Sequence, residues 1–373
     1  MTIKPWPVHP KPIDDELFTS WILRASQGNG TKYFSLCYLT SPDYKAILSS
    51  PLDHVASEAL AERYARRLEI SADRAYQTTL SSYESILFEQ KSRSAHKTGI
   101  LNPGTQLNHK QRYSLQFCPT CFQEEPVYYR KQWKVTFITV CTKHGVKLQD
   151  RCPVCQLPVV PYKNDTKHKK LPFQGCMTQC YACGFDLKES SPERAGEAVL
   201  ADTVLYESIL KNGFYALPDA AWVYSFSFFS VLKHLMRVVI ENRREEYKEE
   251  RQIDVDCLSH HHRYVSLCEL SGLFQRWPQS FTAWSKRAKV QYSSITSMTK
   301  QINGIPYWFD SVARQVIYNP NIEPSEVSVL CAIEHMRNTR KRLSLLGLNK
   351  MMGYRDSGVI RRVFNDYKSK ANA

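Results

Sequence analysis

The stretch from residue 118 to residue 183 decides the fold, because it carries four pairs of metal-binding residue types: CPTC (118–121), CTKH (141–144), CPVC (152–155) and CYAC (180–183). Two residues separate the members of each pair, a spacing at which a short turn directs two side chains toward one ion. Four pairs are enough for two tetrahedral sites. We predict that one zinc ion is bound by Cys118, Cys121, Cys141 and His144, and a second by Cys152, Cys155, Cys180 and Cys183.

Both predicted sites are structural, since four protein ligands leave no position open for a reactive water. Cys176 is an alternative ligand to Cys180, although Cys180 keeps the two-residue spacing. Disulfides are not expected despite the 12 cysteines, because the N-terminus lacks the apolar segment of a secretory signal and paired cysteines in a cytoplasmic chain indicate metal binding. Four other cysteines have no partner at ligand spacing and are predicted to be small buried residues: Cys37, Cys257, Cys268 and Cys331.

The distribution of charge favours a nucleic-acid partner. The net charge is +14 over 373 residues, and residues 86–170 and 337–373 carry +10 and +8, against −1 for residues 1–85 and −3 for residues 171–336. A basic surface that serves only solubility is the alternative. The longest apolar stretch, residues 220–235, contains serines and Lys233 and predicts a buried helix, so no membrane partner is expected and the protein is assigned to the cytoplasm.

Hydrophobic periodicity predicts a mainly α protein with three regions. Residues 1–95 form an N-terminal helix-turn-helix-like region, residues 96–190 a tandem zinc-finger and zinc-ribbon module with short β hairpins, and residues 191–373 a helical region that ends in a helix-turn-helix. Helices are predicted near 16–26, 57–68, 72–87, 194–211, 219–247, 264–276, 279–289, 324–339, 343–352 and 357–368. Strands are predicted at 127–129 and 133–138, which would form a hairpin between the first two ligand pairs, and short extended pieces at 304–308 and 316–318. The three histidines at 260–262 are predicted to lie in a solvated loop, since consecutive histidines cannot all face one ion.

The two predicted helix-turn-helix regions differ in charge. The N-terminal one mixes arginines with glutamates, so a protein-docking or purely structural role is as well supported as DNA contact. In the C-terminal one, Val359, Ile360, Val363 and Phe364 would face inward and leave basic and amide side chains outside. The predicted nucleic-acid contacts are Arg355, Arg361, Arg362, Asn365 and Lys368. A three-helix cap with a solvated basic face is the alternative.

Several of these motifs together resemble the TniQ/TnsD family, the target-selection subunits of Tn7-like transposons. The resemblance is carried by the proline-rich opening with Ser20-Trp21 and Arg24-Ala25, by FCPTC (117–121), Trp133, VCTKHG (140–145) and CPVC (152–155), and by LFQRWPQSF (273–281). The length is similar to that of the short, CRISPR-associated TniQ proteins. The basic final helices depart from the simplest short form and leave direct DNA reading open.

The resemblance implies a non-catalytic adaptor that sits at the chosen DNA target and recruits an AAA+ regulator, which activates the transposase. A CRISPR RNA-guided surveillance complex, target DNA and a second copy in a homodimer are the further partners it implies. No zinc-protease, Walker A or nucleophile-elbow motif is found in the sequence. The alternative is a sequence-specific zinc-containing DNA-binding protein that reads a fixed attachment site or acts as a transcription factor.

Overall fold

The computed structural model describes residues 4–41, 52–89, 96–103, 113–167, 175–218, 222–243, 254–300, 304–317, 323–339, 341–354 and 357–371. The chain divides into two compact units, Met1–Val316 and Ile317–Ala373. Within the described residues the fold is mainly helical with two short antiparallel hairpins, which confirms the predicted fold class at that level. The division into regions 1–95, 96–190 and 191–373 stays a prediction.

The first unit begins with short helices around a buried aromatic core. They are α1 (Phe18–Gly28), α2 (Tyr33–Thr40), α3 (Leu52–Val55), α4 (Glu58–Leu68) and α5 (Ala72–Gln77). Serine side chains begin two of them, since Ser57 Oγ accepts the Leu60 N–H and Ser71 Oγ accepts the Arg74 N–H. The predicted helix over 72–87 is wrong beyond Gln77. Two threonine hydroxyls donate to carbonyls of the last turn there, and a 3-10 turn, Leu80–Tyr83, follows.

The central part of the first unit has little regular structure. It contains α6 (Pro119–Phe122), 3-10 turns at Lys131–Lys134, Pro161–Lys167 and Leu187–Glu189, and the strands β1 (Val140–Cys141) and β2 (Val146–Lys147). The strands predicted at 127–129 and 133–138 are wrong, because part of that segment is a 3-10 turn whose lysines and Trp133 are buried. The hairpin that does form, with Val140 opposite Lys147 and Cys141 opposite Val146, encloses the second ligand pair.

Helices resume after residue 196. They are α7 (Glu197–Asn212), α8 (Ser225–Asn242), α9 (His260–Glu269), α10 (Gln279–Arg287), α11 (Tyr292–Thr296) and α12 (Tyr307–Ile317). The hairpin of β3 (Phe214–Ala216) and β4 (Trp222–Tyr224) lies where the predicted helix 219–247 would start. The predicted extended pieces at 304–308 and 316–318 are also wrong at residues 307–308 and 316–317, because residues 307–317 form α12 with Phe309 and Ala313 buried. Both errors come from short apolar runs, which fit either a strand or a buried helix.

The predicted solvated loop at residues 260–262 is wrong, since these histidines begin α9, where Ser259 Oγ accepts the His262 N–H. His260 Nε2 lies 2.7 Å from the Thr139 carbonyl oxygen, and the His260 N–H donates to Asp150 at 3.0 Å. Desolvation and the nearby Arg263 lower the pKa of His260 to about 4. These contacts join α9 to the residues on both sides of the β1–β2 hairpin.

The second unit is a three-helix arrangement of α13 (Glu326–Asn338), α14 (Leu345–Met352) and α15 (Gly358–Ala371). Its core consists of Val329, Ile333, Met336, Leu348, Ile360, Val363 and Phe364. Gly353 ends α14 with a φ of +79°, a backbone conformation that costs glycine little.

The unpaired cysteines differ in their environment. Cys37 is buried as predicted, whereas Cys257 is half-buried and Cys268 and Cys331 are exposed, so the prediction of burial is wrong for these three. Among the described residues, no helix has both the length and the apolar character needed to cross a bilayer.

Candidate metal centres

The first predicted ligand set comes together in the structure. The three Sγ atoms of Cys118, Cys121 and Cys141 and one ring nitrogen of His144 lie within 4.8 Å of one another. His144 Nδ1 is 3.5, 3.3 and 3.5 Å from those Sγ atoms in turn, and Cys121 Sγ is 3.7 Å from Cys141 Sγ. The three cysteines are buried, and His144 is half-buried.

These separations fit one tetrahedrally coordinated ion. Zinc bonds of about 2.3 Å to sulfur and about 2.0–2.1 Å to nitrogen place two ligand sulfurs about 3.8 Å apart, and a sulfur and a nitrogen about 3.6 Å apart. The observed sulfur–sulfur distance of 3.7 Å and the sulfur–nitrogen distances of 3.3–3.5 Å lie close to these values. The four side chains could therefore hold a metal ion without rearrangement larger than a few tenths of an ångström.

The second ligand set has the same dimensions. Cys152 Sγ lies 3.6 Å from Cys183 Sγ, and Cys155 Sγ lies 3.6 Å from Cys180 Sγ, within a group whose four sulfurs are all less than 4.8 Å apart. Cys152 and Cys180 are buried, Cys155 is half-buried and Cys183 is exposed. Cys176, the alternative ligand, is exposed and is not in this group.

Tight turns after the ligand pairs explain how so short a sequence builds both centres. Gly145, Gln156 and Gly184 follow three of the pairs directly, and each has a positive φ. Each of these residues donates its N–H to the carbonyl of the first cysteine of its pair, at 2.8–2.9 Å. The turn thereby points both side chains of a pair to the same side. Glycine is the residue that adopts this φ with least strain, and it occupies two of the three positions.

Glu124 is a site residue that the spacing of cysteines did not reveal. Its Oε1 lies 3.1 Å from Nε2 of His144, the ring nitrogen that faces away from the three sulfurs, and its other oxygen contacts Lys143 Nζ. Hydrogen bonds from Lys143 and His144 lower the pKa of the Glu124 carboxyl. A carboxylate behind a metal-binding histidine fixes the ring orientation and its tautomer. The one sequence feature that could have indicated Glu124 is its position three residues after the ligand Cys121.

The crowded thiols of the first centre favour a bound cation. Hydrogen bonds from Cys118 and Cys121 lower the pKa of Cys141, whereas those with Cys118 and Cys141 raise the pKa of Cys121. One thiolate is stabilised by the neighbouring thiols that donate to it, and its charge then disfavours ionisation of those neighbours. A divalent ion at the centre of the group would stabilise all the thiolates together.

The first centre is built into the N-terminal helices. The Leu17 N–H donates to the Tyr129 carbonyl at 2.9 Å, and the Tyr129 N–H donates to Ser20 Oγ at 3.0 Å. The Phe122 ring, next to Cys121, packs edge-on against the rings of Tyr129 and Trp133, with centroids 5.0 and 5.9 Å apart. A metal ion in the first centre would therefore stabilise the packing of residues 117–135 against α1.

The predicted nucleic-acid contacts lie on the outer side of α15. Arg361, Arg362, Asn365 and Lys368 are exposed, while Ile360, Val363 and Phe364 are buried. Arg362 Nη2 is 2.6 Å from Glu326 Oε1 of α13, and Lys368 Nζ lies 4.8 Å from the Phe364 ring centre. Arg355 lies outside the described residues. The contacts with nucleic acid stay a prediction.

Residues 7–148 match the TniQ family model, a segment that runs from the proline-rich opening through the first four-ligand set and covers less than half of the chain. No curated protein matches the chain significantly. The matched segment contains the helices α1 to α6, the strands β1 and β2, and every residue of the first centre. The match shows that residues 7–148 are similar to the TniQ family.

Proposed function

We propose that the chain is a non-catalytic target-selection adaptor of a Tn7-like transposon, held in shape by two zinc ions. The observation that carries the proposal is the match of residues 7–148 to TniQ, a segment in which Ser20 of α1 bonds directly to Tyr129, between the two ligand pairs of the first set. Zinc is the ion we propose, since sets of four cysteines, or of three cysteines and one histidine, at these separations are typical of it.

The arrangement of the ligands supports an adaptor rather than an enzyme. Each predicted centre uses four protein side chains, so that a bound ion would have no vacant position for a water or a substrate. The ligand cysteines of the first centre are buried, and hydrogen bonds link the surrounding segment to α1. We infer that the ions stabilise a rigid surface, and that proteins or nucleic acids dock on this surface.

The proposed partners follow from the same assignment. They are a CRISPR RNA-guided surveillance complex or the target DNA on one side, and the AAA+ regulator of transposition on the other, with the chain acting as a homodimer in the cytoplasm. The short CRISPR-associated type is the form we propose. The three regions 1–95, 96–190 and 191–373 would be its domains.

Co-purification tests this proposal directly. The tagged full chain should retain the RNA-guided complex and, separately, the AAA+ regulator of the same transposon, both after washing at moderate salt. A matched sample stripped of metal with a strong chelator should lose both partners, because the docking surface depends on the metal centres. A chain that retains neither partner, although it is folded and metal-replete, would contradict the adaptor role.

Direct reading of duplex DNA is the second candidate function, and the exposed basic side of α15 favours it. The double variant Arg361→Ala, Arg362→Ala should then weaken duplex binding. The slope of the logarithm of the binding constant against the logarithm of the salt concentration should become shallower by about one for each arginine removed. The variant Lys341→Ala, Arg342→Ala is the matched control, since it removes two exposed positive charges from the segment before α14. Equal losses in both variants would indicate nonspecific attraction, and no loss in either would rule out α15 as a DNA contact.

A further inference from the structure

A third group of potential metal ligands lies apart from the two predicted centres. It consists of His96, Asp254 and Cys257, whose ligand atoms all lie within 4.8 Å of one another. We propose that these three side chains form a metal site for a divalent transition ion of the zinc class. The site joins two segments that lie more than 150 residues apart in the sequence.

The pair Asp254 and Cys257 has the same two-residue separation as the predicted zinc ligands. Asp254 begins the 3-10 turn Val255–Cys257, where its Oδ1 accepts the Asp256 N–H at 3.2 Å. The turn places Cys257 Sγ 3.2 Å from Asp254 Oδ2. Two such ligands on one tetrahedral ion lie about 3.6 Å apart, so a shift of a few tenths of an ångström would accommodate the ion.

Asn102 supplies a fourth polar group from the other segment. Its side chain is buried, its Nδ2 contacts His96 Nε2, and the same atom lies 3.2 Å from Cys257 Sγ. Rotation of the amide by 180° exchanges its nitrogen and oxygen and would present an oxygen to the ion. The position of Asn102 is fixed independently, because its backbone N–H donates to the Asp256 carbonyl at 2.9 Å.

The charges around this group also favour a divalent ion. Lys233 Nζ contacts the Asp256 carboxylate and lies 3.7 Å from Asp254 Oδ1, the carboxylate oxygen that does not face Cys257. Two carboxylates and a Cys257 thiolate would carry three negative charges. Lys233 and a divalent ion together carry three positive ones, so the occupied site is neutral. Lys233 would also orient the Asp254 carboxylate from behind, as partners of metal-binding carboxylates do.

The third site should differ from the other two in affinity. It offers one nitrogen, one sulfur and oxygen ligands in place of three or four thiolates, and His96 is exposed while Asp254 and Cys257 are half-buried. Fewer thiolates and greater access to solvent both favour exchange of the ion. We therefore expect that a chelator removes the ion of this site before it removes the other two.

Metal counting on the full chain tests the proposal. After purification and desalting, the unmodified chain should contain three zinc ions per molecule, and Cys257→Ser and His96→Gln should each contain two. Cys268→Ser is the matched control, since Cys268 is an exposed cysteine of α9 outside every ligand group, and it should keep three. Cobalt in place of zinc should show weaker sulfur-to-cobalt absorption in Cys257→Ser than in this control.

Two results would overturn the proposal. One is an unmodified chain with two ions after desalting, and the other is a Cys257→Ser variant that keeps as many ions as the Cys268→Ser control. His96→Gln separates metal loss from misfolding, because the His96 side chain is exposed. Its near-ultraviolet circular dichroism should match that of the unmodified chain. The two predicted centres supply two of the ions in every variant, so failure of the third site leaves the proposed function untouched.

Discussion

The replacement Cys118→Ser tests the assumption that the first ligand set binds a structural ion. Cys118 is fully buried, its Sγ lies 3.5 Å from His144 Nδ1, and it accepts the Cys121 N–H at 3.4 Å. Serine retains a hydrogen-bond acceptor but offers no thiolate at neutral pH. The variant should therefore lose the ion of the first centre.

The magnitude follows from the free energy of ion binding. A structural zinc site contributes on the order of 10 kcal/mol or more to folding at neutral pH. The whole stability of a domain is only about 5–15 kcal/mol. Even if other contacts limit the loss to about 5 kcal/mol, the midpoint of thermal unfolding should fall by about 10 °C or more. Because Leu17 and Ser20 of the N-terminal region bond directly to Tyr129, the loss should loosen α1 as well.

Zinc content and thermal unfolding, measured on the same samples, provide the assay. We expect one ion fewer per chain in Cys118→Ser and either the stated fall in unfolding temperature or aggregation. Cys176→Ser is the matched control, because Cys176 is an exposed cysteine outside both centres and should change neither quantity. A Cys118→Ser chain with the full metal content and an unchanged unfolding temperature would refute the reasoning.

Three further predictions follow from the geometry of the sites. Cys180→Ser should lose the ion of the second centre while Cys176→Ser keeps it, and the reverse result would make Cys176 the ligand. Glu124→Gln should weaken zinc binding at the first centre about 10- to 100-fold in a chelator competition. The control Glu193→Gln removes an exposed carboxylate paired with Lys147 and should leave the zinc affinity unchanged. Equal zinc affinities in the two variants would show that Glu124 does not orient His144. The pKa of His260 is lowered to about 4 in the folded chain. The neutral ring therefore contributes fully to stability above pH 6.5, and this contribution is lost as the pH falls toward 4. The free energy of unfolding should fall by at most about 3 kcal/mol over this range. Urea unfolding across this range should show a smaller pH dependence in His260→Gln than in the unmodified chain, and identical pH profiles would exclude this role.

Local patterns in the sequence predicted the composition of both ligand groups. A pair of ligands two residues apart needs only one short turn, so its geometry is set by neighbours in the chain, as the turns closed by Gly145 and Gly184 show. The amphipathic face of α15 was predictable for the same reason, since three or four residues separate the members of one helix face. The helix from Glu58 to Leu68 was likewise indicated by Ser57 and by its apolar spacing.

Short apolar runs were poorly predicted, because their structure depends on what they pack against. Residues 133–138 have the composition of a strand, yet Trp133 begins no strand and is buried against Phe122 and Tyr129. Residues 307–317 form a helix because Phe309 and Ala313 are buried on one side of it, where the Phe309 ring packs against Trp277 and Phe281. Local propensity is a weak guide where tertiary burial decides between two conformations.

The sequence by itself determined which residues could bind metal as pairs, since ligand type and a two-residue spacing are properties of a few consecutive positions. Only the tertiary structure decided what surrounds and joins those pairs. It placed Glu124 behind His144, bonded Tyr129 to Ser20 of α1, and brought His96 to Asp254 and Cys257 across more than 150 residues. The physical reason is that these contacts join side chains through space, and the packing of the whole unit, rather than any local spacing, fixes their distances.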